Sequence, residues 1–215
     1  MFDIAEKLFG IKIIEENDIP VWDPQVKTYK VLNNDGSTRA FLFMDLFARP
    51  GTKQKGAWKK AIVKGKKGPR TTVIPQCSMQ CNFAAPEDAD TEPLLFISEL
   101  RTLFHEFGHT LHEMLSSTEF THMAGTSIER DMIEFPSQFM ELFLDSEQII
   151  KRIGKHYKTN GNISDELIRT IFQSKKIFSS VDLQHRIFLS LYDISLHMHN
   201  HNDTGHKRKQ DPHYH

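Results

Sequence analysis

The sequence predicts an α+β chain, mainly α with a small β-sheet. Two observations carry that class. A turn-rich tetrapeptide, Asn33-Asn34-Asp35-Gly36, separates two apolar strand-like runs, and from Thr91 onward apolar residues recur at helical spacing. A third bounds it: no run approaches the roughly 20 apolar residues that a membrane-spanning helix needs. With 215 residues, 39% hydrophobic and 26% charged, the chain has the length of one sizeable domain plus a tail.

The elements follow in order. A short amphipathic segment, Ile4 to Phe9, is closed by Gly10, and the chain turns extended after Pro20-Val21-Trp22. Tyr29 to Leu32 and Ala40 to Met44 read as a β-hairpin around the Asn33–Gly36 turn. The second strand is apolar on both faces, which places it centrally in a sheet covered on both sides. Residues 51–70, rich in Gly and Lys, read as an exposed loop. Thr71 to Ile74, extending through Cys81-Asn82-Phe83, suggests another strand, and Pro86 to Asp90 a linker.

Thr91 is placed to cap a helix with Pro93 in its first turn, running to about Ser116. A second helix is expected from Thr126-Ser127, where Thr126 and Glu129 have capping-box spacing, to Leu144. Gly154 and Asn160-Gly161-Asn162 punctuate the next stretch. Ser164-Asp165-Glu166 opens a helix to about Phe178, and Asp182 to His197 forms the last. Residues 198–215 are polar, hold five histidines and have too little to bury, so they read as a disordered tail behind a core over 1–197.

A net charge of −1 argues against a globally basic nucleic-acid binder. The eight Lys or Arg between Lys53 and Arg70 read as a solvated loop. Cys77 and Cys81 lack the second cysteine pair of a thiolate metal site and read as packing thiols. So few cysteines suggest a reducing compartment. The acidic start at Asp3 and Glu6 is unlike a secretory signal. A cytoplasmic location is expected, or a mitochondrial one if a part preceding Met1 carried a transit peptide. Neither nucleic acid nor membrane is an expected partner, and a monomer is the default state.

The chemistry lies in His105-Glu106-Phe107-Gly108-His109. Two histidines four apart on a helix sit some 40° apart on one face and roughly 6 Å along the axis. Both imidazoles can then reach one ion at about 2.0–2.1 Å. Glu106 is rotated about 100° from His105, so it can approach a metal-bound water without occupying the metal. Phe96, Leu100, Leu103, Phe107, Leu111 and Met114 form an apolar stripe opposite the histidines. One face packs into a core; the other looks into a cleft.

A catalytic zinc site keeps three protein ligands and one open position. Glu134, on the next helix and just before Pro136, is the candidate third ligand, with a local distortion expected at the proline. Asp131, one turn earlier, is a candidate to accept the other ring N–H of a metal-bound histidine and fix its tautomer. Its competing reading is an exposed acid in a helix's first turn. His112 lies about 10 Å from His105 along the axis; it is expected to line the cleft, not to share the ion.

The run from Leu103 to Phe143, with its H-E-x-x-H, G-T and D-x-x-E-x-P-S-Q pattern, resembles the thimet oligopeptidase family. Ala5 to Gly10, Phe43 to Gly51, Cys81-Asn82-Phe83 and the helix pattern Leu183 to His197 extend the resemblance over about residues 2–199. That family includes oligopeptidase A, dipeptidyl carboxypeptidase and mitochondrial intermediate peptidase. The resemblance implies His105, His109 and Glu134 as ligands of one Zn2+ and Glu106 as catalytic acid/base. It implies a zincin-like core of a helical oligopeptidase, with a peptide adding as a strand beside Thr71–Phe83.

The expected function is thus a zinc metalloendopeptidase that hydrolyses short peptides by Glu-assisted attack of zinc-bound water. The resemblance also implies two parts beyond this sequence: a helical region before Met1, and a Gly- and Tyr-rich loop after His197, which the polar tail replaces. A truncated, catalytically silent zinc-binding paralogue or fragment that only binds peptides is therefore the alternative reading.

Overall fold

A computed structural model of the chain describes residues 1–86, 93–177 and 179–198. It divides into two compact units, Met1–Asn162 and Ile163–His215. The first unit holds helices α1 (Phe2–Phe9), α2 (Ile97–Leu115), α3 (Phe135–Glu141) and α4 (Glu147–Ile153). Its strands are β1 (Ile11–Glu15), β2 (Lys27–Asn33), β3 (Thr38–Phe47), β4 (Trp58–Val63), β5 (Lys66–Lys67), β6 (Thr72–Val73) and β7 (Gln76–Phe83). The α+β class therefore holds, with a larger sheet than the sequence implies.

The main sheet is mixed, in the order β1-β2-β3-β7-β4. The expected hairpin is β2–β3, antiparallel with Tyr29 opposite Leu42. β3 runs parallel to β7, and β4 closes one edge antiparallel to β7. β3 is central and covered on both faces, as its apolar run predicts. Leu42 and Met44 pair with Cys77 and Met79 on one face. Cys77 feels Glu113, and Cys81 feels Glu106, both on α2, so this is the face that α2 covers. Phe104, Phe107 and Met114 are fully buried there, each stabilising the fold by about 1.5–3 kcal/mol. Phe104 widens the predicted stripe, whereas Phe96 lies outside the helix and is exposed.

On the opposite face Trp22 lies against Phe43. Its indole N–H donates to Asp45, which also accepts from Arg49 and Lys53. Burial favours the neutral acid, but these donors outweigh it and hold Asp45 down to about 2. Gly10 takes the left-handed conformation that closes α1.

Three expectations change. Residues 51–70 are not a continuous loop, since β4 lies within them: Lys59 is buried by an ion pair with Glu113, which its local charge pattern hides. The helix expected from Thr91 starts at Ile97, because the Glu99 carboxylate accepts the Phe96 N–H and fixes the first turn there; Thr91 itself lies outside the described residues. The helix expected from Thr126 to Leu144 is broken. Thr126 accepts from Lys59 instead of capping, residues Arg130–Met132 form a 3-10 turn, and α3 begins at Phe135. Pro136 starts that helix instead of kinking it, since a missing N–H costs nothing in a first turn.

The second unit holds α5 (Asp165–Ser174) and α6 (Ser179–His197). The Ser164 hydroxyl caps α5 by accepting from the Leu167 N–H. That helix stops short of Phe178, which lies outside the described residues, as does the predicted tail from residue 199 on. No described helix is long and apolar enough to cross a membrane.

Candidate metal centre

Helix α2 carries His105, Glu106 and His109 because a single element satisfies both its faces. Phe104, Phe107 and Leu111 bind it to the sheet, and the histidines stand at its rim. Its C-terminal carbonyls are not left free: Arg39, on β3, donates to the oxygens of Met114 (3.1 Å) and Ser116 (3.2 Å). The donor helix is thereby fixed to the central strand.

Helix α3 crosses α2 at Gly108. A Cβ there would lie 2.3 Å from the Pro136 carbonyl oxygen and 2.5 Å from the Ser137 Cα. Only glycine allows this approach, and it brings Glu134, the residue that caps α3, over the histidines. Glu134 Oε2 lies 3.2 Å from His105 Nε2 and 3.1 Å from His109 Nε2. Among the described residues, the donor atoms of His105, His109 and Glu134 all fall within 4.8 Å of one another. Two ligands at about 2.0–2.1 Å from one tetrahedral ion would sit about 3.3 Å apart. Two imidazole nitrogens and one carboxylate oxygen at this spacing fit a small divalent cation.

The surrounding contacts aim these donors. His105 Nδ1 meets Glu141 Oε1 at 2.7 Å; donating its N–H there leaves the Nε2 lone pair facing Glu134. Glu141 is in turn held by Arg101 at 3.0 Å. The Ser137 hydroxyl donates to Glu134 Oε2 at 2.8 Å. Burial pushes the His109 imidazole pKa down despite the Glu134 charge, favouring the neutral, ligating form. Burial, reinforced by Glu134, raises the Glu106 pKa against the pull of His105 and Lys59. For Glu134 burial is overcome by Ser137 and the two imidazoles, and its pKa falls.

A cavity of about 450 Å3 contains this group, with Glu106, Trp58, Lys59, Thr126 and Ile133 in its walls. The residues named from sequence, His105, Glu106, His109 and Glu134, thus meet in one place. Asp131 does not reach a histidine: it sits in the 3-10 turn before α3, and Glu141 makes the contact expected of it. His112 faces a different, apolar cavity of about 330 Å3 with Phe135 and Phe139, so it does not line the donor cleft. Cys77 and Cys81 are buried free thiols, and burial pushes Cys81 up to about 12. Sequence reading missed Ser137 and Glu141. Their positions three and seven residues after Glu134, one and two helical turns on, are the signal that could have found them.

On an α+β scaffold, a helix-borne His pair and the Glu134 carboxylate converge on an open cavity with the buried Glu106 beside them, the donor set of a candidate metal centre. The chain belongs to peptidase family M3, whose model matches residues 1–212. It is 33% identical over 198 residues to dipeptidyl carboxypeptidase of Escherichia coli, covering 92% of this chain and 28% of that protein. It is 32% identical over 200 residues to oligopeptidase A of Salmonella typhimurium (92% and 29%). With mitochondrial intermediate peptidase of Arabidopsis thaliana it shares 30% identity over 205 residues (89% and 29%). The chain therefore spans under a third of the length of these relatives.

Proposed function

We propose that the chain is the zincin-like core of a zinc metalloendopeptidase that hydrolyses peptide bonds in short peptides. One observation carries this reading: His105, His109 and Glu134 converge while Glu106 stands in the same cavity without joining the donor group. In this reading residues 1–197 form the peptidase core. His105, His109 and Glu134 hold one Zn2+, with Glu141 and Ser137 orienting two of those ligands. Bound zinc would supply Lewis acidity, polarising the scissile carbonyl and lowering the pKa of water.

Glu106 then takes one proton from the attacking water and delivers it to the leaving amine, so the carboxylate is regenerated. Burial raises its pKa, which makes the carboxylate a better proton acceptor. Among the described residues, the open sheet edge beside the cavity belongs to β4, because β7 is paired on both sides. A peptide adds there as a further strand, instead of beside Thr71–Phe83. Its backbone N–H and C=O groups pair with β4, and the scissile bond lies over the donors.

The test is a quenched-fluorescent decapeptide assayed with zinc and with chelator. Cleavage should require the metal, and Glu106→Gln should keep zinc while lowering kcat by at least about 10²-fold. Undiminished turnover in that variant would remove Glu106 from the mechanism. Metal-dependent peptide binding without cleavage by the parent chain would favour the silent, peptide-binding alternative, which the short span relative to the relatives keeps in view.

A further inference from the structure

The cavity wall contains a charge that no step above uses. Lys59, on β4, meets Glu113 of α2 through its ammonium group and donates to the Thr126 hydroxyl at 2.9 Å. The Lys59 and Glu113 side chains are 7% and 1% exposed. The turn at Gly125 closes over the same carboxylate: a Cβ on Gly125 would lie 2.3 Å from Glu113 Oε2. Three pieces of chain, the sheet edge, the donor helix and the segment leading to Glu134, thus meet at one buried ion pair.

A buried ion pair loses much of its Coulomb gain to desolvation, and apolar residues of similar volume often stabilise as well. What apolar residues do not supply is a specific partner, whereas the ammonium on the carboxylate ties one point of β4 to one point of α2. Lys59 also neighbours Trp58, and both stand in the wall of the donor cavity.

We propose that the Lys59–Glu113 pair is a positioning device that holds the free edge of β4 at a set distance from α2, and so sets how an extended peptide registers on the metal centre. The inference rests on the peptide-hydrolysis reading above and deepens it. Lys59 and Glu113 are positioning residues; neither is a ligand of the metal.

The experiment uses Trp58 as a ruler. In a Trp22→Phe background Trp58 is the sole tryptophan, since the sequence holds two. Co2+ bound at the three donors quenches its emission by energy transfer, and Co2+ absorption reports loading independently. Lys59→Met alone strands a buried carboxylate and lowers the melting temperature. The double variant Lys59→Met/Glu113→Gln removes both charges and regains folding. It is expected to bind Co2+ as the parent does, with clearly altered Trp58 quenching. Its affinity for a fluorescein-labelled decapeptide, measured with Glu106→Gln to prevent turnover, is expected to fall about tenfold.

Lys59→Arg keeps the pair but carries a longer, planar head group, so it too should alter quenching while Co2+ loading stays parental. Glu113→Asp keeps the charge but is one methylene shorter, so it tests the distance even if the double variant fails to fold; quenching should change at constant Co2+ affinity. Parental quenching and peptide affinity in the folded double variant, or unchanged quenching in Glu113→Asp, overturn the proposal. A parent chain that takes up no Co2+ instead overturns the metal-centre reading, a distinct failure.

Discussion

At the scale of single residues, the geometry of Glu134 depends on a neighbour that carries no charge. The Ser137 hydroxyl donates to the Glu134 carboxylate at 2.8 Å, and the Ser137 residue is fully buried. Ser137→Ala is expected to weaken zinc binding by about 10–100-fold with little change in helix content, measured by competition with a chromophoric chelator. Glu141→Gln, which removes the charge facing His105 Nδ1, should have an effect of the same order. Unchanged affinity in both variants would mean that the donors need no outer support. His105 and His109 were legible in the sequence because a four-residue interval has only one meaning on a helix. The partner of His105 was not: Asp131 and Glu141 are both acids near Glu134, and only the break before α3 decides between them.

At the scale of elements, the site depends on how closely two helices cross. Gly108 sits between the two donor histidines in sequence, and its bare Cα lets α3 reach α2. Gly108→Ala places a methyl group on backbone that cannot swing aside, so α3 must retreat and Glu134 with it. Zinc affinity should fall more than tenfold, and overpacking should cost about 1–3 kcal/mol of stability in urea unfolding. Parental zinc affinity in this variant would show that Glu134 reaches the histidines by another route. The strand β4 marks the limit of sequence reading at this scale. Lys59 and Lys60 make its pattern look solvated, yet Lys59 is buried by an acid 54 residues away in the chain. The β2–β3 hairpin, by contrast, was legible because its turn and both strands are contiguous.

At the scale of the molecule, the sheet is covered on one face by α2 and on the other by the segment carrying Trp22, which anchors to Asp45. That acid has a folded pKa of about 2 against an ordinary value of 3.8. Its ionised form therefore stabilises the fold fully above about pH 4, and the contribution fades as pH falls towards 2. The amount is about 2 kcal/mol. Urea unfolding of the parent and of Asp45→Asn should show a stability gap that narrows across that interval; a gap independent of acid would exclude Asp45 as its source. Family membership, the α+β class and the residues that gather at the candidate metal centre were legible in the sequence, since they reside in local spacing and in a motif. The extent of the sheet and the covering of its second face could not, because both are made by residues far apart in sequence.

The seat of Glu134 has a further consequence. This carboxylate does not share a helix with the two imidazoles; it stands at the head of a second, short helix whose position depends on tertiary docking. A nascent or damaged copy holds at most two of the three donors, and two grip an ion poorly. In the proposed reading, cutting power therefore requires α3 to be docked on α2. Such a chain is disarmed whenever it is misassembled.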